Sequence, residues 1–243
     1  MSNGGIIGQP NLATTTRASG VWGARDQVRA QRDGVWPSLV TFSGAYISSY
    51  STGDVLFTSR TFSAANIGAA HPGRTVVVTA SWNAGNFNVL LSSATIAGVS
   101  ATIIQTSAAA GWERSAILYA AVPSGTSADV VLNFSSGVSN GAAIGVFSLI
   151  DVTSVSTGYF DAHNNTTTTY STNVTVPSGN SYVVSAFGTG TSTPAWTNTT
   201  QRYSYVHLND RHEGASALFT SSGLLNISVT GSTYGVLTSV VFS

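Results

Sequence analysis

The sequence predicts an all-β protein: an antiparallel β-sandwich, jelly-roll-like and built from two degenerate repeats, preceded by a short N-terminal anchor segment that carries a helix. Three observations lead there. Val, Ile, Thr, Tyr and Phe, the residues that suit a pleated half-buried surface, recur in short runs punctuated by Gly, Pro, Ser and Asn. Within several runs apolar and polar residues alternate with period two. Runs in the first half also have counterparts in the second.

Residues 1–37 differ from the rest of the chain. Arg17, Arg25, Asp26, Arg29, Arg32 and Asp33 place six of the eighteen charged residues within seventeen positions. The stretch Trp22 to Arg32 reads as a helix, with Ser19 available as a cap, Gly34 placed to end it and Pro37 just beyond. Trp22, Val28 and Trp36 are too few apolar groups to bury a helix alone, so the segment is expected to dock on another surface, in its own chain or a neighbour's. Trp22 and Trp36 are its natural buried anchors, while Arg25, Arg29 and Arg32 can pair with acidic or carbonyl groups on the partner. The opening Met1-Ser2-Asn3-Gly4-Gly5 has no charged-then-apolar signal pattern.

Residues 38–243 read as the sandwich, in two related halves of about 54–151 and 160–243. Strands are expected at Thr75 to Trp82, Ala128 to Phe134, Gly141 to Ile150, Thr172 to Val176, Tyr182 to Phe187, Leu224 to Thr230 and Tyr234 to Phe242. Turns fall at Pro72-Gly73, Pro123-Ser124-Gly125 and Pro177-Ser178-Gly179. Ala128, Val130, Leu132 and Phe134 share one face, as do Leu225, Ile227 and Val229, and those faces should point inward. Thr75 to Trp82 matches Tyr182 to Phe187, Glu113 to Leu118 matches Glu213 to Leu218, Ala128 to Phe134 matches Leu224 to Thr230, and Ile144 to Ile150 matches Gly235 to Val241. Trp82, Trp112, Tyr119, Phe134, Phe147, Tyr182 and Phe187 are the expected core aromatics.

Composition narrows the chemistry. Apolar residues make up 42% of the chain, ample for a core, but charged residues only 7%, against roughly a quarter in ordinary domains, and net charge is zero. A neutral surface has no basic stripe to neutralise phosphates, so nucleic acid is not an expected partner. The chain has no Lys for Schiff-base or P-loop chemistry and no Cys for a disulfide or thiolate metal site. No run approaches the roughly 18 apolar residues of a membrane helix, so membrane insertion is not expected. No cofactor is implied.

The densest ionisable cluster after residue 33 is His207, Asp210, Arg211, His212 and Glu213. If the region is an extended loop or a hairpin, Asp210 and His212 can share a face while Glu213 points away, which disfavours a metal or acid–base site and favours a solvated loop with an Arg–carboxylate pair. Asp161 and His163 precede a polar run without a nucleophile-elbow pattern. Trp196, Tyr203, Tyr205 and Tyr170 lie in polar context where rings can stack on sugars. Together with His207, Asp210 and Arg211, the first three form the candidate ligand-binding set. No residue is assigned a catalytic role.

Gly4-Gly5-Ile6-Ile7-Gly8, Ala18-Ser19-Gly20-Val21-Trp22, Gln27, Ala30-Gln31-Arg32 and Trp36-Pro37 resemble a recurring segment of bacteriophage virion proteins. Ser93 to Thr102 and Ala120 to Gly125 are similar to β-sandwich domains of phage tail and other structural proteins. The resemblance implies a non-enzymatic virion structural protein: a tail fibre or tail-tip component at the particle surface, assembled in the host cytoplasm. It would hold other virion proteins through its N-terminal segment, form a homo-oligomer with a trimer favoured, and meet host-surface glycan. A capsid decoration or head-fibre protein, a glycan-binding adhesin module and a filament subunit are the alternatives. Gly23-Ala24-Arg25 departs from the usual Ser-Leu-type start of the family's helix. A glycan-degrading enzyme would need two carboxylates facing across a cleft at roughly 5–9.5 Å.

Overall fold

Strands covered on one face alternate in burial, whereas strands covered on both faces are apolar or small at nearly every position. This chain contains both kinds, and the difference sets its architecture. The structure, a computed structural model, describes residues 42–243 apart from 54–55, 86–88, 107–111, 165–166 and 178–179. The expected helix over Trp22 to Arg32 and the anchor residues Trp22, Arg25, Arg29, Arg32 and Trp36 lie outside the described residues. No helix occurs among those described, and hence none that could cross a membrane.

The first group of strands is β1 (Ser43–Thr52), β2 (Phe57–Asn66), β3 (Arg74–Asn83), β4 (Leu91–Ile96), β5 (Val99–Ser100), β6 (Thr102–Gln105), β7 (Glu113–Ala121), β8 (Ser127–Val138) and β9 (Ala142–Ile150). The second is β10 (Tyr159–Asn164), β11 (Thr169–Val176), β12 (Ser181–Gly190), β13 (Trp196–Thr197), β14 (Thr200–His207), β15 (Asp210–Phe219), β16 (Gly223–Thr230) and β17 (Tyr234–Phe242). Pairing is antiparallel throughout. The first group forms the sheets β1-β9-β3-β7-β6 and β2-β8-β4-β5, and the second forms β10-β17-β12-β15-β14 and β11-β16-β13. In each group the first strand pairs with the last and the second with the last but one.

The sheets stack in layers. Val76, Val78, Ala80 and Trp82 of β3 point toward Phe62, Ile96, Leu132 and Phe134 and form one core with them. The opposite face of the same sheet, carrying Val77, Ile117, Phe147 and Leu149, packs on Tyr182, Val184, Ala186, Val240 and Phe242 of the second group. Val183 and Val241 face the remaining sheet, where they meet Val174, Val176 and Ile227. The two five-stranded sheets are therefore inner layers, and the two smaller sheets are outer ones. Outer β11 reads exposed-buried-exposed-buried along its length. Inner β12 is buried at all ten positions.

Ala128, Val130, Leu132 and Phe134 do turn inward, and Ile227 and Val229 are buried. Matching Ala128 to Leu224 is nonetheless out of phase, because Leu224 is 74% exposed while Ala128 is buried. A one-residue offset exchanges the two faces of a strand. Trp112 is a further correction: it precedes β7 and is 54% exposed, outside the core.

Arg74 opens β3 at the end of the Pro72-Gly73 turn and is 1% exposed. Its guanidinium is satisfied by carbonyls: Nε donates to Val122 O at 2.7 Å, Nη1 to Gly68 O and Ala69 O at 2.8 Å and to Ile67 O at 3.4 Å, and Nη2 to Ser124 O at 2.6 Å and Gly125 O at 2.9 Å. The planar fork thus ties the loop after β2 to the turn after β7, and burial lowers its pKa. Lysine carries fewer donors and no fork, so it cannot reproduce this. Arg74→Ala should cost about 3–5 kcal/mol by leaving these carbonyls unpaired in the interior. Arg74→Lys should recover only part of that in urea unfolding.

Candidate functional site

The seam between the two inner sheets changes character along its length. One end is the apolar cluster around Phe147, Tyr182 and Phe242. The middle is a belt of hydroxyls. Tyr203 OH and Thr79 Oγ1 lie 2.9 Å apart, and Ser115 Oγ lies 2.8 Å from Thr238 Oγ1. The Tyr203 ring fits because two facing positions lack side chains: a Cβ on Gly145 or on Gly214 would overlap it. Burial raises the Tyr203 pKa, which keeps the phenol neutral.

The far end of the seam is ionisable. Asn83, last in β3, sits opposite Glu113, first in β7. Its Nδ2 donates to Glu113 Oε1 at 3.2 Å and to Asp210 Oδ2, on the second group's β15, at 2.7 Å. Asn140 Nδ2 donates to the same Asp210 oxygen at 3.2 Å. Glu113 is fully buried, and Glu113 Oε2 has no hydrogen-bond partner. That oxygen lies 2.9 Å from where a Cβ of Gly188 would stand, so glycine there lets β12 close on it. Desolvation first, and Asp210 second, push the Glu113 pKa well above its ordinary value. Both causes favour the protonated carboxyl over the carboxylate.

His212 is 0% exposed, with neither ring nitrogen partnered. Burial, and then the neighbouring His207, lower its pKa to about 3. The two imidazole centroids are 5.8 Å apart. His207 is itself pushed down by burial, with Asp210 opposing. Asp210 and His212 share the seam side of β15, as strand alternation requires, but the segment is a buried strand and not a solvated loop.

Glu213 points the other way, into the second group's own core. Trp196 Nε1 donates to Glu213 Oε2 at 2.8 Å, while Ser204 Oγ and Gln201 Nε2 donate to Oε1 at 2.8 and 3.1 Å. Arg211 Nη1 lies 3.8 Å from Oε1 and donates to Ser204 Oγ at 2.8 Å. The expected Arg–carboxylate pair exists, but its carboxylate is buried.

Of the candidate ligand-binding set, Tyr203, Tyr205, His207, Asp210 and Arg211 lie on the β14–β15 hairpin, with the Tyr203 and Tyr205 rings 5.8 Å apart, while Trp196 lies on β13. Trp196 packs beside Phe187 at 6.0 Å between rings, and Tyr203 is in the seam. Tyr205 OH lies 2.9 Å from Ser49 Oγ of β1. Tyr170 is fully buried, 5.0 Å from Phe187. Tyr203 and Tyr170 are buried, whereas Trp196 and Tyr205 are half-buried. His163 Nε2 meets Asp161 Oδ1 at 2.6 Å, while Asp161 Oδ2 accepts from Ser171 N at 2.6 Å and so serves the edge of β11.

Glu113 and Asn83, the partners of Asp210, were not among the residues singled out by sequence. The signal available was Glu113-Arg114-Ser115, a polar start to a strand that continues as Ala116-Ile117-Leu118. Among the described residues no group of three or more His, Asp or Glu is arranged to hold a metal ion. Neither a protein-family model nor a curated protein nor a solved structure matches this chain.

Gly214→Ala or Gly145→Ala should destabilise the protein by about 1–3 kcal/mol through displacement of the Tyr203 ring. Thermal unfolding, with near-ultraviolet dichroism reporting on Tyr203, checks this. His212 resists protonation in the folded state, so its contribution is present above the ordinary value of 6.5 and is lost as pH falls toward about 3. His212→Phe should accordingly flatten the acid limb of a melting-temperature profile over that interval.

Proposed function

We propose that this chain is a non-enzymatic structural protein of a bacteriophage virion, exposed on the particle as a tail-fibre or tail-tip component. The observation that carries the reading is the repeated strand order. With the first strand beside the last and the second beside the last but one, each group follows the jelly-roll plan, an architecture used in viral capsids and in lectins. The chain is then a tandem of two jelly-roll sandwiches derived from one repeated unit and packed through their inner sheets. Each sandwich buries its own core, and the shared seam makes the pair a rigid block.

Three further features support the assignment. The segment from Gly4 to Pro37 resembles a recurring part of phage virion proteins. Charge is scarce, and Glu113, Asp210 and Glu213 are taken up by interior contacts. The outer sheets present neutral amide and hydroxyl ladders, such as Ser59 Oγ to Asn133 Oδ1 at 2.7 Å and Asn226 Nδ2 to Asn173 Oδ1 at 2.9 Å. Such a surface suits close contact between copies or with neutral host glycan.

In this reading residues 1–37 are the attachment device, Trp22 and Trp36 are its anchors, and the assembled state is a homo-oligomer, with a trimer favoured. A chain beginning at Leu39 should stay folded and soluble, yet lose oligomerisation and incorporation into particles. Light scattering coupled to size exclusion and labelled imaging of intact virions measure the two losses. Unfolding of the shortened chain would transfer the segment from anchor to core. Turnover of host polysaccharide by the intact protein would replace the structural reading with an enzymatic one.

A further inference from the structure

The carboxyl pair at the seam has a layout that packing alone does not require. Asn83 and Glu113 come from the first group of strands and Asp210 from the second, so Asn83 Nδ2, which donates to Glu113 Oε1 at 3.2 Å within its own sheet, crosses to the other group in its 2.7 Å bond to Asp210. Asn140 Nδ2 adds a second crossing to Asp210 at 3.2 Å. Glu113 Oε2 is buried without a partner, pressed against the backbone of Gly188. Two carboxylates sharing so dry a space cannot both ionise without strong repulsion.

We propose that Glu113 and Asp210 form a proton-operated latch between the two inner sheets, closed while the pair holds one proton and released when that proton is lost to solvent. The proton leaves the Glu113 carboxyl as pH rises. The resulting carboxylate faces Asp210 across the one amide the two acids share, that of Asn83, and the polar end of the seam parts. The apolar end around Phe147 and Tyr182 carries no ionisable partner for Glu113 and acts as the hinge side.

The surrounding charges set the working range. Arg114, on the same strand, donates from Nη1 to the Glu113 carbonyl at 2.8 Å and favours the charged carboxylate, though weakly beside burial and Asp210. From β17, Tyr234 faces both acids, which together with burial raise its pKa, so it is neutral where the latch works. His207 of β14 lies close enough to Asp210 to feel its charge. His212 is held neutral by burial and opposes acid, not alkali. Because the folded-state Glu113 value lies above its ordinary 4.5, the latch's contribution is fully present below that ordinary value and is lost as pH rises through the raised one.

The test uses the full chain and Glu113→Gln, whose amide preserves shape and cannot ionise. Small-angle scattering and far-ultraviolet dichroism are followed from mildly acidic to alkaline pH. The expected result is that the wild type expands reversibly with its strand signal retained, whereas Glu113→Gln keeps its dimensions throughout. Infrared spectroscopy of the wild type should show a protonated buried carboxyl at neutral pH that is lost over the same interval as the expansion. Glu213→Gln, which removes the other buried carboxyl pushed upward by burial, should keep the band and so assigns it to Glu113 even if Glu113→Gln does not fold. Absence of that band at neutral pH, equal expansion of both proteins, or no expansion while the band titrates would each overturn the latch.

Discussion

The two inner sheets lie face to face, and everything else in the molecule is arranged around that contact. A sheet with one face in water can alternate, but β3, β9, β12 and β17 have no solvent side and must satisfy two neighbours at once. This is why Val76 and Val77 are both fully buried although they point in opposite directions. It is also why glycine recurs where the layers approach: Gly145 and Gly214 admit Tyr203, Gly188 admits Glu113, and Gly44 leaves room for Tyr182. A side chain at any of these points would hold the sheets apart and weaken the apolar contacts beside it.

That constraint explains how polar groups are distributed. In a chain so poor in charge, ionisable groups would ordinarily decorate the surface. Here Arg74, Glu113, Asp210, His212 and Glu213 are all buried. Their environments differ instructively. Arg74 and Glu213 have dense sets of hydrogen-bond partners and act as fixed braces, whereas Glu113 and His212 retain unpaired polar atoms. Fully paired buried groups rigidify an interior, while incompletely paired ones store a cost that a change of protonation can release. The fixed braces thus lie within each group of strands, and the incompletely paired groups lie at one end of the seam between them.

The proposed particle-surface role would call for a protein that resists unfolding and self-association. Cores within each group of strands plus a shared core between the two inner sheets give several layers of packing without disulfides, and the strand edges are managed by side chains. Tyr50 OH accepts from Asn66 N at 2.7 Å in the first group, and Tyr159 OH accepts from Thr175 N at 3.1 Å in the second. Each tyrosine stands on the first strand of its group and satisfies the second. Open edges would otherwise offer unpaired amides to neighbouring copies, a serious matter for a neutral protein with little charge repulsion to keep copies apart.

The all-β class, the antiparallel pairing and seven of the strands were legible in the sequence because they depend on local preference and on the two-residue period of a strand. Alternation along Ala128 to Phe134 was enough to orient that strand. The features that stayed hidden lie on strands without such a signal. Asp210 to Glu213 looked like a solvated loop because three ionisable residues and an imidazole in succession are costly to bury, and nothing nearby in the chain repays that cost. The repayment comes from far away: Asn83 is 127 residues from Asp210, and Tyr203 is 124 residues from the Thr79 it bonds. Likewise, Tyr203 and Tyr170 read as free aromatic surface until a second sheet covers them. Local sequence determined which segments extend and which of their faces are apolar. Only the stacking of one sheet on another decided which faces have two owners, because contact between layers is made by residues that the chain itself keeps far apart.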